Sequence, residues 1–523
     1  MDMAIKFGML MVFFGVMIAT GFYCRKHSTD VDGFVLGGRS VGPWLTAFAY
    51  GTSYFSAVVF VGYAGQFGWK YGIAATWAGI GNALIGSLMA WAVLGRRTRV
   101  MTQHLNSATM PQFFETRFDS KALKLASSVI IFIFLIPYTA SLYNGLSRLF
   151  GMAFDIDYAV CVIIMSILTG VYVIVGGYMA TAINDFIQGM IMLVGIVAVI
   201  GAVLKGQGGL MEALNGLAKV SDPAVSDVPG VFNSFFGPDP INLAGVVLLT
   251  SLGTWGLPQM VQKFYAIKSE KAINKGMIIS TVFAFVVAGG CYFLGGFGRL
   301  FSDRIDLAKG GFDSIIPTML SDLSPFLIAV VVILVLSASM STLSSLVLAS
   351  SSTLTLDFIK GTIVKNLSEK KQLLIMRILI AVFIAISAII AIIQYNSNVT
   401  FIAQLMGISW GALAGAFLAP FLYGLFHKKV TRASVYVSFT CGVAISLVQL
   451  AKSLTGFSFG VELLDGFVFK TSLHSGVVAM LLGLVLVPLV SLLTRKSRPN
   501  GVEEMFSCYD EKVVSTAKKS LGE

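Results

Sequence analysis

The chain has 523 residues, of which 56% are hydrophobic and only 12% charged, and its mean hydropathy is +0.83. A soluble protein carries about twice that charge fraction, so the composition excludes the soluble globular classes and indicates a polytopic protein whose surroundings are a lipid bilayer. The formal net charge of +11 would suggest nucleic acid in a soluble domain; in a membrane protein it reads as basic cytoplasmic loops, with no nucleic-acid partner.

Apolar runs long enough to cross a bilayer, about 20 residues each, recur near 4–23, 43–64, 72–94, 122–148, 157–176, 182–204, 241–262, 274–297, 323–352, 373–394, 400–425, 431–451 and 473–494. They predict an all-α polytopic membrane protein of about thirteen transmembrane helices. The first run reads as a retained span: Asp2 and Lys6 make no basic lead segment, and the run ends on Cys24, Arg25 and Lys26 rather than on a small-residue cleavage site.

Thirteen crossings put the two termini on opposite sides. One set of loops carries Arg25, Lys26 and Arg39; Arg96, Arg97, Arg99, Arg117, Lys121 and Lys124; Lys263, Lys268, Lys271 and Lys275; Lys360, Lys365, Lys370, Lys371 and Arg377; and Lys428, Lys429 and Arg432. The other set is poorer in Lys and Arg and holds Asp155, Asp157, Asp222, Asp227, Asp239, Asp303, Asp306 and Asp313, with Arg299, Arg304 and Lys309 as exceptions. The asymmetry places the N-terminus outside and the C-terminus in the cytoplasm. No Lys or Arg is expected at mid-bilayer depth in the spans that form the pocket described below.

Two spans are interrupted. The run 43–64 holds Gly51-Thr-Ser-Tyr-Phe-Ser-Ala57, and 241–262 holds Thr250-Ser-Leu-Gly-Thr-Trp-Gly-Leu-Pro258. They sit five spans apart, each followed by four more, and such a matched pair marks an inverted repeat with a binding site at the midplane. The competing reading is two packing kinks. Asp185 opens the span 182–204, where a carboxylate is either a helix N-terminal charge favoured by the macrodipole or an intramembrane cation ligand. Further on, the apolar stretch from Pro325 passes straight into Ser337–Asp357, a run dense in Ser and Thr. Ala338, Ser341, Thr342 and Ser345 fall at i, i+3, i+4 and i+7 and share one helix face. Such a row either hydrogen-bonds a neighbouring helix or replaces the water shell of a small cation.

The five cysteines are scattered without metal spacing, and the four histidines form no cluster. With no Cys/His pair and no phosphate-binding glycine loop, enzyme chemistry is disfavoured. A channel is separated from a carrier only by whether flux saturates and is coupled.

Several motifs together resemble the sodium/solute symporter family, and within it most the sodium/proline symporters, over roughly Asp32–Arg432. They are Phe34-Val-Leu-Gly-Gly-Arg-Ser-Val-Gly-Pro43, Thr109-Met-Pro-Gln-Phe-Phe-Glu-Thr-Arg-Phe118, Val171-Tyr-Val-Ile-Val-Gly-Gly-Tyr-Met-Ala180 running into Asp185 and Gln188, and Ala338-Ser-Met-Ser-Thr-Leu-Ser-Ser345. The resemblance implies a leucine-transporter-type core of five-plus-five inverted repeats: an extra N-terminal helix and loop at 1–42, a first repeat at 43–204, an extracellular loop at 205–240, a second repeat at 241–426, two further helices at 427–494 and a cytoplasmic tail at 495–523, working as a monomer. That tail is too short for an output domain, which favours transport over a symporter-like nutrient sensor.

The resemblance also implies the ion sites. A first sodium is expected on the carbonyls of Thr52, Phe55 and Ala338 and the hydroxyls of Ser341 and Thr342, and a second on Asp185, Ser341, Ser344 and Ser345. Two ions would supply roughly 7 kcal/mol for uptake of a neutral solute, given about 2.3 from the potential and 1.4 from a tenfold gradient for each. The solute pocket is expected from Tyr54, Ser56, Tyr138, Ser251, Thr254, Trp255 and Gln404. This chain departs from the family where it has Tyr54, Thr250 and Thr254, so neither proline nor a hexose meets its usual contacts. A small amino acid or related carboxylate is expected, with a sugar or sialic-acid-type solute as the alternative.

Overall fold

The computed structural model describes the chain apart from residues 1, 155, 308–310, 365, 398–401, 511–512 and 514–523. Asp155, Lys309 and Lys365, used above to orient the loops, lie outside the described residues, as do the first positions of the expected span 400–425 and most of the tail. The described chain is nearly all helix; among these residues pairing of the strand type is limited to isolated bridges.

Ten helices are long and apolar enough to cross a membrane, or up to eleven when the bent pair Pro240–Gly256 and Pro258–Ala266 counts as one span. Two of the ten, Val58–His104 and Tyr158–Gly206, are 47 and 49 residues long, more than twice what a bilayer requires. Each contains a glycine in a conformation closed to side chains. Gly72 has φ +62° and ψ −143°, and a Cβ there would lie 2.0 Å from the Phe232 carbonyl oxygen. Gly177 has φ +57° and ψ −149°, with the Phe34 carbonyl oxygen 2.9 Å from its Cβ position. The break at Gly177 corrects one expectation. Asp185 does not open a helix; it lies two turns beyond the break, fully buried, so helix-end stabilisation does not account for its charge.

Both interrupted spans are broken. The first is helical over Pro43–Tyr54, turns extended at Phe55 (φ −103°, ψ 128°) and resumes at Val58. Thr52 and Ser53 donate to the carbonyls of Phe48 and Ala49 one turn back, at 2.7 and 2.6 Å, a bonding mode that bends helices. The second runs Pro240–Ser251, tightens into a 3₁₀ turn over Leu252–Gly256, goes extended at Leu257 and restarts on Pro258 with a 50° bend. Pro258 favours this locally, because its ring disfavours the helical region for Leu257.

The Ser/Thr-rich helix, Pro325–Thr353, is continuous and packs against Tyr158–Gly206, Lys121–Phe154 and both broken helices. From Ser337 onward every residue to Thr353 is buried. At the Ser350–Thr353 end, Ser351 and Ser352 donate to carbonyls three residues back in their own helix.

Candidate functional site

The first group of oxygens meets where the break at Phe55 faces the Ser/Thr-rich helix. The Thr342 hydroxyl lies 3.4 Å from the Thr52 carbonyl, 3.2 Å from the Phe55 carbonyl and 3.1 Å from the Ala338 carbonyl. A hydroxyl has one proton, so it satisfies only one of these three acceptors at a time. Ser341 Oγ, beside it on the helix, is buried with no hydrogen-bond partner. The Thr342 hydroxyl and three carbonyls thus converge with more lone pairs than donors, which fits a small hard cation that replaces water with oxygens.

The second group is arranged differently from expectation, and the reason is Lys263. Placed above in a basic loop, Lys263 is 2% exposed in the helix Pro258–Ala266. Its ammonium donates to Ser345 Oγ at 3.0 Å, sits 3.9 Å from Asp185 Oδ2 and lies 5.2 Å from the centre of the Tyr178 ring. What the structure corrects is the loop placement of Lys263: the restart at Pro258 extends the buried helix past residue 262. Ser345 also meets Ser53 at 2.9 Å. Ser344 donates back to the Ser341 carbonyl at 2.9 Å. Ser341 faces the Asp185 carboxylate, whose two oxygens, both fully buried, accept no hydrogen bond. With an ammonium already on Ser345 and Asp185, this donor set does not fit a sodium ion.

The expected pocket residues divide into three places. Ser56 and Tyr138 come together: their hydroxyls face one another, and the Tyr138 ring meets Trp410 edge-on at 5.9 Å. Ser56 Oγ, the Tyr138 hydroxyl and Trp410 Nε1 are all buried without a hydrogen-bond partner. Tyr54, Ser251, Thr254 and Trp255 line the contact between the broken helices and the helical stretch 76–95. There the Tyr54 hydroxyl donates to the Thr250 carbonyl, Ser251 donates to Asn82 Oδ1 at 3.0 Å, Thr254 donates to the Ser251 carbonyl at 2.7 Å, and the Trp255 indole donates to the Ile85 carbonyl at 3.1 Å. Gln404 stands apart, on the wall of a cavity of about 820 Å³ also lined by Tyr71, Asn242, Arg299, Lys470 and His474. Trp410 and Asn82 were not singled out from the sequence. Asn82 carried a readable signal as an amide inside an apolar span; Trp410 carried none, because an aromatic in a membrane helix is ordinary.

The opposite side of the pocket is closed by backbone and buried arginines. Val41 N donates to the Ala266 carbonyl and Lys268 N to the Val41 carbonyl, both at 3.1 Å, tying the start of the first broken helix to the end of the second. Arg39 donates to the Ser107 carbonyl at 2.6 Å, and Arg99 to the Ile267 carbonyl at 2.7 Å. Burial lowers the Arg39 guanidinium from its usual value, while Asp32, 3.9 Å away, raises it. Nearby, Asp357 accepts from Thr109 at 2.6 Å and from Gln112 at 2.8 Å.

Residues 34–442 match the sodium:solute symporter family. The sodium/proline symporters of Staphylococcus aureus strains JH9 and JH1 are each 32% identical over 477 residues, spanning 88% of this chain and 90% of theirs. Among solved structures, a Na+-coupled sialic acid symporter in its substrate-bound outward-open state superposes with a TM-score of 0.71 at 16% identity, over 94% of this chain and 98% of that one. That symporter has a novel Na+ site.

Proposed function

This chain belongs to the sodium:solute symporter family, and from that premise we propose that it imports a small amino acid or related carboxylate with sodium, by alternating access. It is a multi-pass membrane protein. The observation that carries the reading is the convergence of the Thr342 hydroxyl with the carbonyls of Thr52, Phe55 and Ala338. A sodium ion held there bridges the first broken helix and the Ser/Thr-rich helix. It fixes their register and so completes the adjoining pocket at Ser56, Tyr138 and Trp410. Solute binds next, the repeats rock, and both are released on the other side.

The glycine breaks at Gly72 and Gly177 divide the two overlong helices, which supports thirteen crossings with the N-terminus outside and the C-terminus inside. The tied ends around Val41, Ala266 and Lys268 then form a closed cytoplasmic side, and the cavity beside Gln404 is the outward vestibule. A carboxylate solute near Tyr138 is met by the backbone amides and dipoles of the broken helices. The names of the Staphylococcus aureus relatives support an amino acid. One sodium entering down about 100 mV and a tenfold gradient supplies roughly 3.7 kcal/mol, a roughly 500-fold concentration of a neutral solute.

The test is uptake by the purified protein in proteoliposomes, screened over amino acids, monocarboxylates, sugars and sialic acid with and without a sodium gradient. Saturable, sodium-dependent uptake of an amino acid or small carboxylate is expected; sodium-independent or non-saturating flux of every solute would overturn the reading.

A further inference from the structure

We propose that the Lys263 ammonium is a built-in cation for Asp185, standing where a second sodium ion would otherwise bind to Asp185, Ser341, Ser344 and Ser345, so that the protein binds a single sodium ion. The proposal rests on the sodium-symport reading above and deepens it by fixing its ion count.

The hydrogen-bond accounting at Ser345 is decisive. Ser53 spends its proton on the Ala49 carbonyl at 2.6 Å. In its 2.9 Å contact with Ser53, Ser345 is therefore the donor, and its lone pairs take the ammonium of Lys263 at 3.0 Å. The same ammonium is the cation 3.9 Å from Asp185. Asp185 is faced by the Ser341 hydroxyl and has no exposure to solvent, and a buried carboxylate requires a compensating positive charge. Tyr178 presents its ring to the ammonium at 5.2 Å, which completes a cradle for an organic cation. A sodium ion would have to displace the ammonium from Ser345 and Asp185 together, because two unit charges sharing these ligands repel each other in a medium that screens them poorly.

The consequence is mechanistic. Lys263 is covalently held on the restarted half of the second broken helix, so its charge neutralises Asp185 without dissociating. It links the helix that carries Asp185, the second broken helix and the Ser/Thr-rich helix through one group, as a free ion would, but it carries no gradient energy. The accumulation ceiling is then the roughly 500-fold of one ion and not the five orders of magnitude of two.

The experiment counts ²²Na⁺ bound at saturation per purified full-length chain, with monodispersity checked by size exclusion. Wild type is expected to bind one ion, Lys263→Arg one, Lys263→Met and Lys263→Gln two, and Lys263→Met with Asp185→Asn one again. Thr342→Ala with Ser341→Ala is expected to need at least tenfold more sodium to reach the wild-type count. Two ions on wild type overturn the proposal, as does a single ion on folded Lys263→Met or Lys263→Gln. No sodium on wild type overturns the symport reading itself, a distinct outcome. If neither neutral variant is monodisperse, the wild-type count decides alone.

Discussion

The Thr342 hydroxyl lies 3.2 Å from the carbonyl oxygen of Phe55, a residue 287 positions earlier in the chain. The contact exists because Phe55 leaves the helical region, which turns a carbonyl that would face along its own helix toward a neighbour. A backbone break at membrane depth is tolerated only where its polar groups find such partners.

Removing the hydroxyls at this contact tests the ion site. Ser341→Ala with Thr342→Ala is predicted to raise the sodium concentration for half-maximal uptake at least tenfold, about 1.4 kcal/mol, with expression intact. Thr342→Ser, which keeps the oxygen, is predicted to recover most of the affinity. An unchanged sodium dependence in the double variant would remove the assignment.

The pocket makes a separate prediction. Tyr138→Phe and Trp410→Phe each delete a buried polar atom that has no protein partner. Neither leaves a new group unsatisfied, so folding is expected to be unaffected. If these atoms bind solute, each change raises the KM for solute by roughly tenfold, the value of about one hydrogen bond, while sodium binding is unchanged. Equal KM values in both variants would exclude this wall from solute contact.

Helix packing sets a third outcome. A Cβ on Gly68 would lie 1.9 Å from the Gly295 carbonyl oxygen, and one on Gly295 would lie 2.1 Å from that of Ala64. These helices touch backbone to backbone. Gly68→Ala is predicted to cost about 1–3 kcal/mol or more of stability, read as a lower melting temperature in detergent. Gly15→Ala, where nothing lies within 4 Å, is the neutral control.

The closed side gives the fourth. Asp357 is buried and accepts from Thr109 and Gln112. Thr109→Val with Gln112→Leu strands that carboxylate and is predicted to destabilise by about 1.5–3 kcal/mol for each lost bond. Asp357→Asn, which leaves no buried charge, is predicted to cost less. Thermal unfolding compares the two, and the reverse order would show that these bonds do not stabilise the closed side.

Much of this was legible beforehand. The membrane class and the interrupted positions follow from local facts: an apolar run cannot lie in water, and Gly, Ser, Thr and Pro cluster at Gly51–Ala57 and Thr250–Pro258. The face formed by Ala338, Ser341 and Thr342 is helix periodicity. The depth of Asp185 was not legible, because the helix that carries it begins at Gly177, and a glycine in an apolar run has the same composition whether it continues a helix or breaks it. Nor was Lys263, since a lysine one residue past an apolar run looks like a loop residue.

What the sequence determined by itself is therefore the environment, the helices and the interrupted positions, since hydropathy, ring sterics and periodicity act over a few residues. Only the tertiary structure decided which charge meets which oxygen. Lys263 and Ser345 are 82 residues apart, and Asp185 sits on a third helix. In a low-dielectric interior a single ammonium bonded to Ser345 and 3.9 Å from Asp185 couples the two, and that depends on how three helices pack rather than on any one stretch of chain.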